Sequence, residues 1–94
     1  MFARIATFEG GDVERMRQLN EERMASGELR PPAGMTRGLV LEGDRRLFVS
    51  FFESREALEA AEAEFERMGD TIPEEIRGRR VSVDAYEVVF DRQV

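Results

Sequence analysis

Hydrophobic and polar positions along the chain follow two different periods. Four segments have the two-residue alternation or the short apolar run that is typical of β-strands. They are residues 2–8, 35–42, 46–52 and 81–90. Gly43 and Asp44 separate the second and third of these segments and are suited to a tight hairpin turn. The pattern therefore predicts four strands, of which the middle two form a hairpin.

Two further segments place hydrophobic residues three or four positions apart, as on one face of a helix. Asp12 and Ser54 precede them, and each side chain can accept a hydrogen bond from the free amides of a first helical turn. Gly27 and Gly69 are expected to end the two helices, and residues 73–77 to add one short turn. The resulting order is βαββαβ. We therefore predict an α+β, ferredoxin-like domain over residues 1–94, with a four-stranded antiparallel sheet and two helices on one face.

The third strand is apolar on both of its faces. Successive side chains of a strand point to opposite sides of the sheet; here they are Leu47, Val49 and Phe51 on one side and Phe48, Ser50 and Phe52 on the other. A sheet with helices on one side and water on the other should alternate apolar with polar residues. The second face is therefore expected to be covered, either by stacked bases or by a second copy of the chain.

The nucleic-acid alternative rests on the letters FVSF at residues 48–51, which overlap half of an aromatic octamer found in RNA-recognition motifs. The preceding residues 44–47 lack the basic, glycine and aromatic positions of that octamer. The chain also has a formal net charge of -6, which opposes attraction to phosphate backbones and to anionic lipid. We expect neither nucleic acid nor membrane as a partner.

The composition narrows the possible chemistry further. The chain contains no Cys and no His, so it has no disulfide, no thiolate and none of the commonest metal ligands. We predict neither a metal nor a cofactor. No apolar run approaches the roughly 20 residues of a membrane span, and the N-terminal segment lacks the apolar core of a signal peptide. The expected location is the cytoplasm.

Four segments together resemble a known family. They read MFARIATFEG, PAGMTRG, FFESREALEAAE and VSVDAYEVV, and they occupy residues 1–10, 32–38, 51–62 and 81–89. In order and spacing, these segments are similar to the antibiotic biosynthesis monooxygenase-like domains of the dimeric α/β barrel proteins. The resemblance covers nearly the whole chain. It implies a homodimer whose two sheets pack face to face, with a ligand pocket between each sheet and its helices.

The same resemblance implies several possible activities. Members of that family include cofactor-independent oxygenases of polycyclic aromatic substrates, haem-degrading enzymes and domains of no known activity. Haem degradation in the family relies on a histidine, an asparagine and a tryptophan. This chain has no His and no Trp, and Asn20 is its one asparagine, so haem chemistry is not expected.

Four polar residues within apolar strands are candidates for catalysis. Arg4 and Arg37 each interrupt an otherwise apolar strand, and Asp84 and Tyr86 lie on one face of the fourth strand. In the catalytic hypothesis, Arg4 or Arg37 stabilises an oxyanion while Tyr86 or Asp84 accepts or orients a proton. In the structural alternative, the two arginines form cross-strand ion pairs. The carboxylates considered for those pairs are Glu42, Asp84 and Glu87.

Phe48, Ser50 and Phe52 are predicted to contact a ligand because they share one face of the third strand. Alternatively, Ser50 is a small residue in a crowded sheet and the phenylalanines fill the interior. The sequence thus predicts a homodimer that binds a small hydrophobic or aromatic molecule, with cofactor-independent monooxygenase or isomerase activity as one form of that function. The other form is a non-catalytic structural or regulatory dimer.

Overall fold

A computed structural model describes residues 1–28 and 30–94 of the chain. The elements follow the predicted βαββαβ order, with a short helix before the last strand. They are β1 (Phe2–Glu9), α1 (Val13–Ser26), β2 (Met35–Glu42), β3 (Arg46–Phe52), α2 (Arg55–Asp70), α3 (Glu74–Arg77) and β4 (Arg79–Glu87). The predicted α+β, ferredoxin-like fold is confirmed.

All strand pairs of the sheet are antiparallel, and the strand order is β2-β3-β1-β4. The two central strands, β1 and β3, place Arg4 opposite Ser50. On its other side, Arg4 lies opposite Ala85 of β4. The register between β1 and β4 shifts between Thr7 and Phe8. Since paired residues point to the same face, this register fixes which side chains share each face of the sheet.

The helices begin where the sequence predicts. The side chain of Asp12 accepts a hydrogen bond from the amide of Arg15 at 3.1 Å, and that of Ser54 accepts one from Ala57 at 3.1 Å. These contacts satisfy amides that have no partner within the first helical turn. α1 ends at Gly27 as predicted, whereas α2 continues one residue beyond Gly69 to Asp70.

The last strand lies two to three residues earlier than predicted. The apolar run of residues 81–90 indicated a strand to Phe90, but β4 spans Arg79–Glu87. Its first residue pairs with Glu9 and its last with Phe2. The amide of Val88 still donates to the carbonyl oxygen of Met1 at 2.9 Å, but β1 begins at Phe2, and Phe90 is exposed. The length of the partner strand therefore sets the bounds of β4.

The helices and the sheet enclose two separate apolar clusters. One consists of Phe52, Leu58 and Ala61 beneath α2, with Phe65 packed against it. The other joins α1 to α3 and is formed by Met16, Ile72 and Ile76, with Leu19 and Phe48 packed against it. Side chains of both clusters border the space that remains between the sheet and the helices. The core is therefore divided rather than continuous.

Close backbone contacts hold α3 against the end of β1. The amide of Asp12 donates to the carbonyl oxygen of Ile76 at 2.9 Å. Gly78, with φ +84°, lies so close that a Cβ there would be 2.7 Å from the carbonyl oxygens of Glu9 and Gly10. Only glycine fits such a position without displacing the backbone. These contacts fix the place of Arg77, the last residue of α3.

The face of the sheet that points away from α1 and α2 is mainly apolar. We call it the open face. Its large apolar side chains include Ile5, Leu39, Leu41, Leu47 and Phe51, which alternate along their strands with the helix-facing residues. Leu41 keeps 47% of its surface exposed. Within the described ranges, none of the helices has the length and hydrophobicity needed to cross a membrane.

Candidate ligand-binding cavity

A cavity of about 780 Å³ lies between the helix-facing side of the sheet and the helices. Pockets of roughly 300–1,000 Å³ are typical of sites for small organic molecules. Its apolar lining comes from the sheet, from both long helices and from the segment that follows α2; the larger side chains are Phe8, Met16, Phe48, Phe65, Met68 and Ile72. The cavity thus has the position that the family resemblance implies for a ligand pocket.

The structure places two of the three predicted ligand contacts in the cavity wall. Phe48 meets Phe8 edge to face, with ring centroids 5.3 Å apart. Ser50, two residues further along β3, also lines the cavity and is buried. Phe52 has 0% of its surface exposed and packs against Leu58 as a core residue. Its side chain has no surface to offer a ligand in this structure.

Arg4 lines the same cavity and is 4% exposed. Its Nε donates to Oε1 of Glu62 on α2 at 2.8 Å, and its guanidinium lies 4.3 Å from the centroid of the Phe65 ring. The structural alternative expected Arg4 to pair across strands. Its ion pair runs instead from the sheet to Glu62 of α2. A buried guanidinium with both a carboxylate and an aromatic face beside it is well compensated.

The other three candidate catalytic residues lie on the open face. Arg37 on edge strand β2 lies opposite Phe51 of β3, and Tyr86 on edge strand β4 lies opposite Ala3 of β1. Because Phe51 and Ala3 are themselves paired, Arg37 and Tyr86 lie at the same level of the sheet with two strands between them. Asp84 lies opposite Ile5. Edge strands of a four-stranded sheet are about 14 Å apart. Within one chain, the fold therefore brings Arg4 together with Phe48 and Ser50, but not with Arg37, Asp84 or Tyr86.

The cavity contains a basic cluster that sequence reasoning missed. The arginines that line it, besides Arg4, are Arg23, Arg30, Arg77 and Arg80. Among the described lining residues, Glu66 is the one carboxylate. This positive lining contrasts with the net charge of -6 on the whole chain. The sequence signal was the run Arg77-Gly78-Arg79-Arg80, which spans the junction of α3 and β4.

Most of these arginines have partners. Arg23 donates to Thr71 through Oγ1 at 2.6 Å and through the carbonyl oxygen at 3.3 Å. Arg80 forms an ion pair with Glu66. Arg77 differs, because its Nε is buried and has no acceptor among residues 1–28 and 30–94. The end of the cavity near α3 therefore contains a guanidinium whose hydrogen-bonding capacity is not fully used.

The pKa of Glu66 is held below its ordinary value, first because Arg80 donates a hydrogen bond to the carboxylate and then through the positive charge of Arg80. Desolvation acts in the opposite direction, and Arg4 and Arg77 add further electrostatic lowering. Glu66 is therefore ionised at neutral pH and is a weak proton acceptor.

The cavity does not suit a histidine- or thiolate-ligated iron, since the chain contains no His and no Cys. Across the part of the chain that the structure describes, no group of three His, Cys, Asp or Glu side chains is arranged to hold a metal ion. The charged groups of the described cavity lining are guanidiniums except for the single carboxylate of Glu66, and guanidiniums are donors to anions and not metal ligands. The lining therefore favours an organic molecule over a metal centre.

Comparisons with known proteins identify the fold. No protein-family model matches the sequence, and no curated protein matches it either. A crystal structure of a MhuD mutant, with two manganese protoporphyrin IX molecules bound per active site, aligns over 100% of both chains at a TM-score of 0.63 and 17% sequence identity. The chain has the fold of MhuD. At 17% identity, this likeness shows the fold and nothing further about the chain.

Proposed function

We propose that the chain binds a small, flat, mainly apolar organic molecule in the cavity between its sheet and its helices. The observation that carries this proposal is the cavity of about 780 Å³ with aromatic and methionine side chains on its walls. The MhuD mutant, which has the same fold, has manganese protoporphyrin IX bound in its active site. That likeness supports small-molecule binding but does not specify the ligand.

The chemistry of the walls supports a planar ligand. Phe8 and Phe48 present an edge-to-face pair, and aromatic ligands pack well against such rings. Four methionines also border the cavity: Met16, Met24, Met35 and Met68. Methionine is flexible and polarisable, so its side chain adapts to ligands of irregular outline. The walls can therefore close around a fused aromatic ring without a rigid template.

The arrangement favours binding over catalysis. Cofactor-independent oxygenation or isomerisation requires a group that removes a proton from the ligand. Glu66 is a weak base because its pKa is lowered, and Asp84 and Tyr86 lie on the other face of the sheet. Arg4, the candidate for oxyanion stabilisation, is already paired with Glu62. The non-catalytic form of the predicted function is therefore the one we propose.

We also propose that two copies of the chain associate through their open faces. Large apolar side chains are exposed there, with Leu41 at 47% and Leu39 partly exposed on β2. A second copy is the occupant that the resemblance to dimeric α/β barrel proteins implies, and it would cover both sheets at once. Burial of this surface would add stability that a chain of 94 residues otherwise lacks.

Fluorescence of N-phenyl-1-naphthylamine, a neutral apolar dye, tests the binding proposal. The variant Gly38→Leu adds bulk at the cavity wall, where a Cβ would first meet the free end of Met35 at 2.9 Å. We expect saturable binding to the wild-type chain and about tenfold weaker binding to this variant. Ala60→Leu, on the exposed side of α2, is the matched control and should bind as the wild type does. Equal binding by both variants would contradict the cavity as the site.

A further inference from the structure

Arg77 is the one cavity arginine with a buried donor atom that no described residue satisfies. A buried charged donor without an acceptor is costly to keep, so its persistence needs a compensating reason. The side chain also lines the cavity, and its Nη1 is within 3.6 Å of a Cβ position built on Gly69 at the end of α2. Its guanidinium therefore lies where α2 and α3 meet the cavity.

The local charge balance is positive around this residue. Arg4 is paired with Glu62 and Arg80 with Glu66, so each of these guanidiniums already has a carboxylate. Among the described residues, no carboxylate forms an ion pair with Arg77. The pKa of Glu66 is lowered first by the hydrogen bond from Arg80, then by the charge of Arg80, and to a smaller extent by the charges of Arg4 and Arg77. Arg77 therefore adds a positive charge that no described carboxylate neutralises through an ion pair, and Arg23, which donates to the neutral Thr71, adds another.

The backbone of Arg77 is held firmly, which makes the residue suited to binding. Arg46, a buried residue of β3, donates through Nη1 to the carbonyl oxygen of Arg77 at 3.4 Å. Gly78, the next residue, is wedged against Glu9 and Gly10. A side chain on a fixed backbone loses less freedom when it orders around a ligand.

We propose that Arg77 binds an oxyanion of the cavity's ligand, which makes the ligand a flat, apolar molecule with one carboxylate or chemically similar acidic group. This inference rests on the proposed function of the cavity. A guanidinium forms two parallel hydrogen bonds to a carboxylate, a geometry that a single ammonium group cannot provide. The apolar walls would bind the ring system of the molecule, and Arg77 would bind its charged end.

Two dyes that differ in one charged group test this inference. The first is 8-anilinonaphthalene-1-sulfonate, and the second is N-phenyl-1-naphthylamine, the same ring system without the sulfonate. In Arg77→Met, we expect the sulfonate dye to bind about tenfold more weakly and the neutral dye to bind within about twofold of wild type. Arg77→Lys should recover part of the sulfonate affinity, since it keeps the charge but loses the planar fork.

Two further variants separate a local effect from a general loss of charge. Arg17→Met removes a positive charge from the exposed side of α1 and should change neither dye. Glu66→Gln removes the carboxylate at the same end of the cavity and should strengthen binding of the sulfonate dye alone. A residue with a purely structural role would not produce these opposite changes.

The outcomes distinguish a failure of the Arg77 inference from a failure of the proposed ligand binding in the cavity. If neither dye binds the wild-type chain, both proposals are wrong. If both dyes bind and Arg77→Met weakens them equally or not at all, the cavity binds ligands but Arg77 is not its anion site. If Arg77→Met fails to fold, the salt dependence of the wild type decides: added salt must weaken the sulfonate dye more than the neutral one, and equal dependence overturns the inference.

Discussion

At the scale of the residue, the ion pair of Arg4 and Glu62 joins a buried side chain to a partly exposed one. The side chain of Arg4 is 5% exposed, whereas that of its partner Glu62 is 41% exposed. Removal of the arginine leaves a carboxylate that water can solvate. Removal of the glutamate leaves a guanidinium that water reaches poorly. The two halves of this ion pair should therefore respond differently to substitution.

We expect Glu62→Ala to lower the free energy of unfolding by about 1–3 kcal/mol, because it leaves the buried guanidinium without its acceptor. Arg4→Met keeps most of the side-chain volume and should cost less. Midpoints of urea unfolding measure both changes. Glu59→Ala, an exposed position of the same helix, serves as the control and should change stability by less than about 0.5 kcal/mol. A larger loss in Arg4→Met than in Glu62→Ala would contradict this account.

The pKa of the Glu66 carboxyl group reports on the arginines that surround it in the cavity wall. Because Arg80 lowers this pKa in the folded chain, the ion pair contributes stability above the ordinary pKa of a glutamate, and this contribution is lost as pH falls through the lowered value. An NMR titration of the Glu66 carboxyl carbon should therefore show a pKa below the ordinary range. Arg80→Met should raise that pKa toward the ordinary value, and no change in this variant would show that Arg80 is not the cause.

Sequence alternation predicted which residues share a face of each strand. It did not predict which of the two faces of the sheet carries the helices. Leu47 and Phe48 point to opposite faces of β3 and both are apolar, so neither marks the helix side. The contacts of Arg4 with α2 decide this in the structure. They place Arg4 in the cavity and Tyr86 outside it. Arg77 was missed for another reason, since its lack of an acceptor is a property of packing and not of sequence.

At the scale of the element, the junction of α3 and β4 depends on one glycine. Gly78 has φ +84° and ψ -180°, a conformation available almost only to glycine. A Cβ there would also lie 2.7 Å from two backbone oxygens, which cannot move as a flexible side chain would. The position of α3, and with it that of Arg77, therefore depends on the absence of a side chain at residue 78.

Gly78→Ala should destabilise the chain by about 3 kcal/mol, the sum of backbone strain and steric conflict. Gly10→Ala is the matched control, because Gly10 also has a positive φ of 73° but has nothing within 4 Å of a Cβ. Its cost should be limited to about 1–2 kcal/mol of backbone strain. Thermal unfolding of the two variants measures the difference, and similar melting temperatures would show that the close contact at Gly78 is unimportant.

The elements themselves were largely predictable because their signals are local. Asp12, Ser54 and Gly27 mark helix ends through hydrogen bonds and backbone conformations that involve only nearby residues. The end of β4 was predicted three residues too late because Val88, Val89 and Phe90 continue the apolar pattern. Strand bounds depend on the partner strand, which lies more than 70 residues away in the case of Phe2 and Glu87.

At the scale of the whole molecule, the sheet separates two apolar surfaces with different proposed roles. Leu41 and Val40 are adjacent on β2, similarly exposed at 47% and 51%, and point to opposite faces. In a dimer formed through the open faces, Leu41→Asp would bury a charge in each copy. We expect it to raise the dimer dissociation constant by at least about 100-fold, whereas Val40→Asp should leave it nearly unchanged.

Light scattering coupled to size exclusion, over a range of concentrations, measures both variants. A wild-type chain that is monomeric at all concentrations would contradict the dimer. A dimer that survives Leu41→Asp and dissociates in Val40→Asp would place the interface on the helix side instead. Either result would leave the cavity proposal open to its own test, because the cavity is formed within one chain.

The most direct test of cavity binding uses the five methionines of the chain as reporters. Met16, Met24, Met35 and Met68 line the cavity, whereas Met1 borders a separate, smaller pocket with Phe51 and Phe90. We would label the methionine methyl groups with carbon-13 and titrate N-phenyl-1-naphthylamine while recording their NMR signals. The account predicts that the four cavity signals shift together and that of Met1 does not. Shifts confined to Met1, or none at saturating dye, would contradict ligand binding between the sheet and the helices.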